Sequence, residues 1–229
     1  MLTPTEVLRE IETRLGASIQ ILELSEEDIM KIIQESTIRT FSIYYPLRQT
    51  IIIHPKSDKV PERTNVFYIN SSLEILGVSK VLAENYFGNT GLPMATIDSD
   101  PVYRQFTTDL QSMFVQPITF DFESPNLVEI FPKRMLVGDF TVEYKAVHPT
   151  HFGTIPLSLR EEFLNLATID VRRALYPIRH RFQNINTAFG NIELFMDKLE
   201  SAEEDRKDIL ERWRTNSVKN SKRRKIFVY

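Results

Sequence analysis

Apolar and polar residues alternate at helical spacing in the first forty residues, and this pattern predicts two helices. The first is marked by a capping box, Thr3 with Glu6, by Pro4 at the first helical position, and by Gly16 as a stop. Its apolar face consists of Val7, Leu8, Ile11 and Leu15. A second box, Ser25 with Asp28, predicts another helix, from Glu26 to about Phe41.

Strand-like patterns follow in the middle of the chain. Three short apolar runs, at 50–54, 65–69 and 78–82, precede a stretch that reads as a loop at 86–100 and a short helix to Met113. Three clearer runs then alternate apolar and polar residues, at 118–122, 127–131 and 140–147. Because Ser124-Pro125-Asn126 is a turn sequence, these three runs predict a central antiparallel β-meander.

The last third of the chain is predicted to be mostly helical. A capping box at Ser158 predicts a helix that reaches about Phe182, with a kink or stop at Pro177. A further box at Ser201 predicts a helix that reaches about Arg214, and a short strand is predicted between the two helices, at 192–195. The predicted class is α+β: a helical N-terminal pair, a central antiparallel β-meander, C-terminal helices and an extended C-terminal arm. We expect one domain over residues 1–214, with 215–229 as the arm.

Composition narrows the classes of protein that fit. The 229 residues are 42% hydrophobic and 26% charged, with a net charge of −3, as in an ordinary soluble globular protein. Cysteine is absent, which excludes disulfides and thiolate metal sites, and the seven glycines form no phosphate-binding loop. Because no apolar run reaches the roughly 20 residues of a membrane span, we expect a soluble protein with no membrane contact.

The sequence offers little for catalysis. His148 and His151 have a spacing that suggests a metal pair, but the nearby acids complete no ligand set, so a polar loop is the favoured interpretation. Acidic clusters fall at predicted helix starts, where negative charge complements the helix dipole: 26–28, 161–162 and 203–205. We therefore predict no catalytic residue, no metal site and no cofactor.

Two basic clusters are candidate contact sites. The first lies on the long predicted helix and contains Arg172, Arg173, Arg179 and Arg181; the second contains Lys222, Arg223, Arg224 and Lys225. On a helical wheel Arg172 and Arg179 lie away from the apolar face. A solvated face is the simpler interpretation, and contact with DNA phosphates in a lumen or with an acidic partner is the alternative.

The final four residues are apolar, which is unusual after a basic segment. Ile226, Phe227, Val228 and Tyr229 have strong β-propensity and are candidates for docking on a partner as an added strand. The preceding basic residues would serve as a polar spacer. The competing interpretations are a disordered end and a strand that closes the protein's own sheet.

Both ends of the chain resemble a known phage protein. Residues 5–17 and 21–29 resemble the start of the neck (head-completion) protein of T-even-like contractile-tailed bacteriophages, with a helix ending in Arg-Leu-Gly, a short strand and a capped helix. Residues 189–194 and 202–211 resemble that family's turn, strand and charged helix before an apolar tail. The middle of this chain departs from the family, since it is more compact and has no glycine-rich insertion.

The resemblance implies a structural virion protein of the neck, assembled in the host cytoplasm. Such a subunit would form a homo-oligomeric ring of twelve copies that completes the DNA-filled head and offers a platform for the tail. Its implied partners are further copies, the portal protein, a tail-proximal neck or tail terminator protein, and packaged double-stranded DNA without sequence specificity. The helices at 158–182 and 201–214 would pack between subunits or onto the portal.

Two alternatives stay open at the level of the sequence. One is a structural protein of the tail terminus or baseplate, where six-fold symmetry is expected. The other is a non-virion DNA-binding module that uses the two basic clusters and would require salt-dependent affinity for DNA. An enzyme is the least favoured class, because no nucleophile, metal set or phosphate cradle can be assembled.

Overall fold

The computed structural model describes eight stretches of the chain: 2–16, 22–63, 65–83, 119–131, 139–181, 186–187, 190–191 and 199–224. Contacts divide the chain into two compact units. Unit 1 comprises Met1–Leu47 and Val147–Tyr229, and unit 2 comprises Arg48–Ala146. The expectation of one domain over 1–214 stays a prediction. Unit 1 is mainly helical and unit 2 contains two antiparallel sheets, so the predicted α+β class is confirmed.

Helix α1 of unit 1 begins and ends where the sequence predicts. It spans Pro4–Leu15, and Thr3 and Glu6 form the reciprocal capping box. The Thr3 backbone N–H donates to Glu6, which lowers the pKa of that carboxyl. Gly16 closes the helix with φ +81°, a left-handed conformation that glycine adopts without steric penalty.

The second predicted helix is continuous but irregular. It starts with α2, Glu26–Ile32, where the Ser25 hydroxyl accepts a hydrogen bond from the Asp28 N–H. A π-helical turn, Ile33–Thr37, follows, and α3, Ile38–Tyr44, completes the run. A π-turn inserts one residue into the α-helical repeat and shifts which side chains face the core. Here it places the Thr37 hydroxyl in the interior, where it is fully buried.

Two longer helices complete unit 1. A short 3-10 helix, Leu157–Leu159, leads into α4, Arg160–His180, and α5 spans Ala202–Arg224. The predicted cap at Ser158 is wrong, because α4 begins after Leu159 with no side-chain cap. Of the kink or stop predicted at Pro177, the stop is wrong, because the helix continues through it to His180. A small hairpin, β7 at Asn186–Thr187 and β8 at Gly190–Asn191, lies in the sequence between these helices.

The core of unit 1 is built around an aromatic cluster. Phe41 from α3 contacts the rings of Phe163 and Trp213 edge to face, with centroids 5.3 and 5.8 Å apart. Tyr45 packs against Trp213 at 5.2 Å. Because Trp213 is only 1% exposed, α5 is anchored to this unit by one large apolar side chain.

Unit 2 consists of two three-stranded sheets. One has the order β1 (Leu47–Ile53), β6 (Phe140–Ala146), β3 (Ile75–Ala83); the other has the order β2 (Val66–Tyr68), β5 (Leu127–Phe131), β4 (Thr119–Glu123). The β4–β5 hairpin is as predicted and carries a cis Ser124–Pro125 bond in its turn. The predicted three-stranded meander is wrong, because β6 pairs with β3 in the other sheet.

Strand β6 pairs with β3, and not with β5, because of the face that it buries. Strand β6 buries alternate residues, ending with Tyr144 and Ala146, against a core shared by both sheets. Phe67 of β2 and Phe140 of β6 meet edge to face at 5.0 Å. Two sheets therefore share one apolar layer, which a single meander could not enclose. The predicted loop at 86–100, the helix to Met113 and the strand at 192–195 lie outside the described residues.

Candidate assembly interface

Charged side chains join the helices of unit 1 over long sequence distances. The Arg14 guanidinium on α1 donates to both carboxylate oxygens of Glu161 on α4, at 2.9 and 2.8 Å, and to the Asn165 amide oxygen at 2.7 Å. The next residue of α4, Glu162, accepts from Arg212 and from the Trp213 indole, at 2.8 and 2.9 Å. The acidic pair of α4 therefore does more than complement a helix dipole, since it connects α1 and α5 to α4.

A buried polar network joins α4 to the π-turn and to α5. Asp170, 3% exposed, accepts from the Thr37 hydroxyl and from Arg206, each at 2.8 Å. Arg206 also donates to the Thr40 hydroxyl at 3.1 Å. Every polar side-chain atom that is buried in the described part of the molecule has a hydrogen-bond partner. This network thus satisfies a buried carboxylate whose desolvation would otherwise be unfavourable.

The first basic cluster does not form a single surface. Arg179 is only 8% exposed and makes a two-pronged ion pair with Glu23, at 2.9 and 3.0 Å. Its predicted place on the solvated face is wrong, because the segment before α2 covers that part of α4. Arg173 pairs with Glu203 of α5 and lies 3.6 Å from Asp170. Arg173 therefore joins α4 to α5, and Arg179 joins α4 to the segment before α2.

Arg172 and Arg181 are the members of this cluster with no ion-pair or hydrogen-bond partner among the described residues. Arg181 follows the last turn of α4 and is exposed. Arg172 is half-buried and lines an open groove of about 370 Å³, together with Arg14, Asn165, Thr168, Ile169, Ile209 and Arg212. Of the three groove arginines, Arg14 and Arg212 are already paired, so the free charge belongs to Arg172.

The groove is suited to an anion. A guanidinium presents a planar set of N–H donors that fits a carboxylate or phosphate in two-pronged geometry. The sequence pattern indicates Arg172 as a candidate but does not indicate Arg14 or Arg212, which belong to helices far away in the sequence. No local pattern could have joined them, because only the packing of α1 and α5 against α4 brings the three together.

The second basic cluster belongs to a helix. The end predicted at Arg214 is wrong, because α5 continues to Arg224 and includes Lys222 and Arg223. Positive charge near a helix C-terminus complements the dipole, which explains a basic run at this place without requiring an extended spacer. Lys225 and the docking candidates Ile226, Phe227, Val228 and Tyr229 lie outside the described residues.

The histidines are held by protein groups. His148 is 4% exposed; its Nε2 lies 2.9 Å from the Tyr45 carbonyl oxygen and its Nδ1 lies 2.8 Å from the Thr154 hydroxyl. Burial lowers the pKa of His148. His54 of unit 2 is exposed, and its ion pair with Asp139, at 2.9 Å, raises its pKa. Within the described ranges, no cluster of His, Asp or Glu could hold a metal ion.

One further property concerns membranes. Of the helices in the described stretches, none is both long and apolar enough to cross a bilayer. Even α5, which spans 23 residues, is rich in charged side chains along its length.

Comparison with known proteins identifies a family. No curated protein matches the chain, but the model of the family described as bacteriophage ring protein matches residues 1–229, the whole sequence. This match supports the coarser part of the expectation, a ring-forming structural protein of a phage virion, and it does not single out the T-even-like neck. The chain belongs to the bacteriophage ring protein family.

Proposed function

We propose that this protein is a subunit of the ring that connects the head of a phage to its tail. In this role it completes the DNA-filled head beneath the portal and provides the platform on which the tail docks. The observation that carries the proposal is the match of the whole chain to the bacteriophage ring protein family. The resemblance of residues 5–29 and 189–211 to the T-even-like neck protein adds the location.

The use of charge in unit 1 supports a structural rather than an enzymatic role. Arg14, Arg173, Arg206 and Arg212 each pair with a carboxylate of another helix, and Arg179 pairs with Glu23 in the segment before α2. Side chains that an enzyme would direct at a substrate serve here to fix the packing of α1, α4 and α5. Ion pairs of this kind favour a rigid unit 1, which a connector between two large assemblies requires.

The proposed partners follow from the position in the neck. Copies of the chain would contact one another head to tail, because a heterologous interface closes a ring when its rotation divides the circle. Twelve copies would match the portal on one side, and a tail-proximal neck or tail terminator protein would bind the other. The exposed Arg181, together with the basic residues Lys222, Arg223, Arg224 and Lys225, would meet packaged DNA through phosphates, without reading sequence.

The location is tested by counting and imaging the protein in purified particles. Quantitative mass spectrometry should give twelve copies per virion, and a labelled subunit should lie between head and tail. Cells infected by a phage mutant that lacks the protein should accumulate DNA-filled heads without tails. Six copies, located at the tail terminus or baseplate, would contradict the neck assignment and support the tail alternative.

Residues 226–229 are proposed to dock on a partner by adding a strand to a sheet edge. Deletion of Ile226, Phe227, Val228 and Tyr229 should leave the circular dichroism spectrum and melting temperature unchanged while joined particles are lost. A matched control replaces the four residues with Ser, which keeps the length and removes the apolar contacts. Normal yields of joined particles from the deletion would reject this docking role.

A further inference from the structure

We infer that the groove around Arg172 receives a carboxylate from a second copy of this chain and forms part of the contact between neighbours in the ring. This inference deepens the self-association in the proposed function and rests on ring formation, though not on the neck location. It starts from one observation: Arg172 is the groove arginine whose charge no described residue neutralises.

The groove is preorganised for such a contact. Arg14 is fixed by Glu161 and Asn165, and Arg212 is fixed by Glu162, so two walls hold their positions before any ligand arrives. The apolar side chains of Ile169 and Ile209 line the same groove. A partly desolvated guanidinium beside apolar walls binds an anion more strongly than one in open water, because screening is reduced.

The charge around the groove favours a single carboxylate over the DNA backbone. Glu161 and Glu162, at the start of α4, already neutralise Arg14 and Arg212, so one positive charge is left over. The Glu161 side chain is 69% exposed. Duplex DNA presents roughly one charge per 1.7 Å of its axis. A row of phosphates laid across the groove would therefore face these carboxylates as well as Arg172, whereas one carboxylate would meet only its counterion.

A second copy can supply that carboxylate. The chain carries 31 acidic against 28 basic residues, so acids are in surplus. In the described part of the molecule Glu26, Glu27 and Glu204 are exposed and have no ion-pair or hydrogen-bond partner. In a head-to-tail ring every copy offers both its groove and its acidic surface, so one kind of contact is repeated around the circle.

The first experiment replaces Arg172→Glu in the full-length protein, supplied to an infected host that makes no other copy. Arg9→Glu is the matched control, because it makes the same charge change at an exposed arginine of α1 whose side chain has no partner among the described residues. We expect Arg172→Glu to reduce the number of copies per particle at least tenfold relative to Arg9→Glu, as counted by mass spectrometry. Equal incorporation of the two variants would overturn the inference.

A second variant keeps the positive charge and identifies the contact. Arg172→Lys places a primary amine in the groove, where a carbodiimide can couple it to a touching carboxylate. In rings assembled from mixed ¹⁴N- and ¹⁵N-labelled subunits, cross-links between the two labels are expected. Cross-links within one label only, or none, would overturn the inference, and so would protection of the amine that appears only when DNA is packaged. Rings found at the tail would reject the neck location while leaving this test intact.

Discussion

The two units of this protein differ in where their ion pairs lie. In unit 1 most ion pairs join different helices, and some have a buried member: the Asp170 side chain is 1% exposed and that of Arg179 is 9% exposed. In unit 2 the ion pairs Arg48–Glu143, His54–Asp139 and Arg63–Glu123 are formed by side chains that are a third to more than half exposed.

The contrast follows from secondary structure. A sheet fixes its register through backbone hydrogen bonds between strands, so unit 2 needs no buried charges to set the positions of β3 and β6. The backbone hydrogen bonds of a helix are formed within the helix itself, so two packed helices can slide or rotate against one another. In unit 1 directional pairs between side chains add the positional information that apolar packing alone leaves loose. We therefore hypothesise that the ion pairs around α4 fix the positions of the helices that pack against it.

The largest effect is expected from the aromatic anchor of α5. Trp213→Ala removes a buried indole and its contacts with Phe41 and Tyr45, which should lower the free energy of unfolding by about 3–5 kcal/mol. Urea unfolding measures the loss, and hydrogen exchange should show it in α4 and α5. Phe140→Ala is the counterpart in unit 2 and should loosen β3 and β6 instead. Identical exchange patterns for the two variants would argue against two separate cores.

A smaller effect is expected from the buried network. Asp170→Asn keeps the shape of the side chain but leaves Arg206 with no full counterion, so unfolding should require about 2–3 kcal/mol less. The double variant Asp170→Leu with Arg206→Leu should recover part of that loss, since a well-packed apolar pair can replace a buried ion pair. Equal stability of Asp170→Asn and the native protein would show that the network contributes nothing.

The exposed pair of unit 2 supplies the other side of the comparison. Arg63→Ala breaks the contact with Glu123 and should lower the free energy of unfolding far less than Asp170→Asn does, because solvent screens an exposed pair. Thermal unfolding in low and high salt measures the difference, which should shrink as salt rises. If Arg63→Ala lowers the free energy of unfolding as much as Asp170→Asn does, the exposure of the ion pairs does not distinguish the two units.

The smallest effects concern pH, and the two units should respond with opposite sign. Because burial lowers the pKa of His148, the unfolded chain takes up its proton first, and stability should fall as the pH drops below about 6.5. Because Asp139 raises the pKa of His54, its contribution is fully present below that pH and is lost as the pH rises through the folded pKa. Melting curves of His148→Gln and His54→Gln against pH measure each slope; parallel slopes would contradict the assignment.

Local residue patterns are enough to predict where several helices and turns begin. Thr3 and Ser25 were recognised as caps because a capping box is read from residues three apart, and Ser124-Pro125 marked the β4–β5 turn for the same local reason. Ser158 failed as a cap because a 3-10 turn enters α4 first. The α+β class and the resemblance to a phage neck protein also came from the residues alone.

Which elements meet depends on packing between residues that are far apart in the sequence. Strand β6 pairs with β3 rather than β5 because its buried face belongs to a core shared by both sheets, a property of the layers and not of the strand. Arg172, Arg173 and Arg179 look alike in the sequence, yet Glu203 and Glu23 neutralise two of them and leave the third in a groove. Pairing over long sequence separations depends on packing, and it decides which of three equal charges is free to bind.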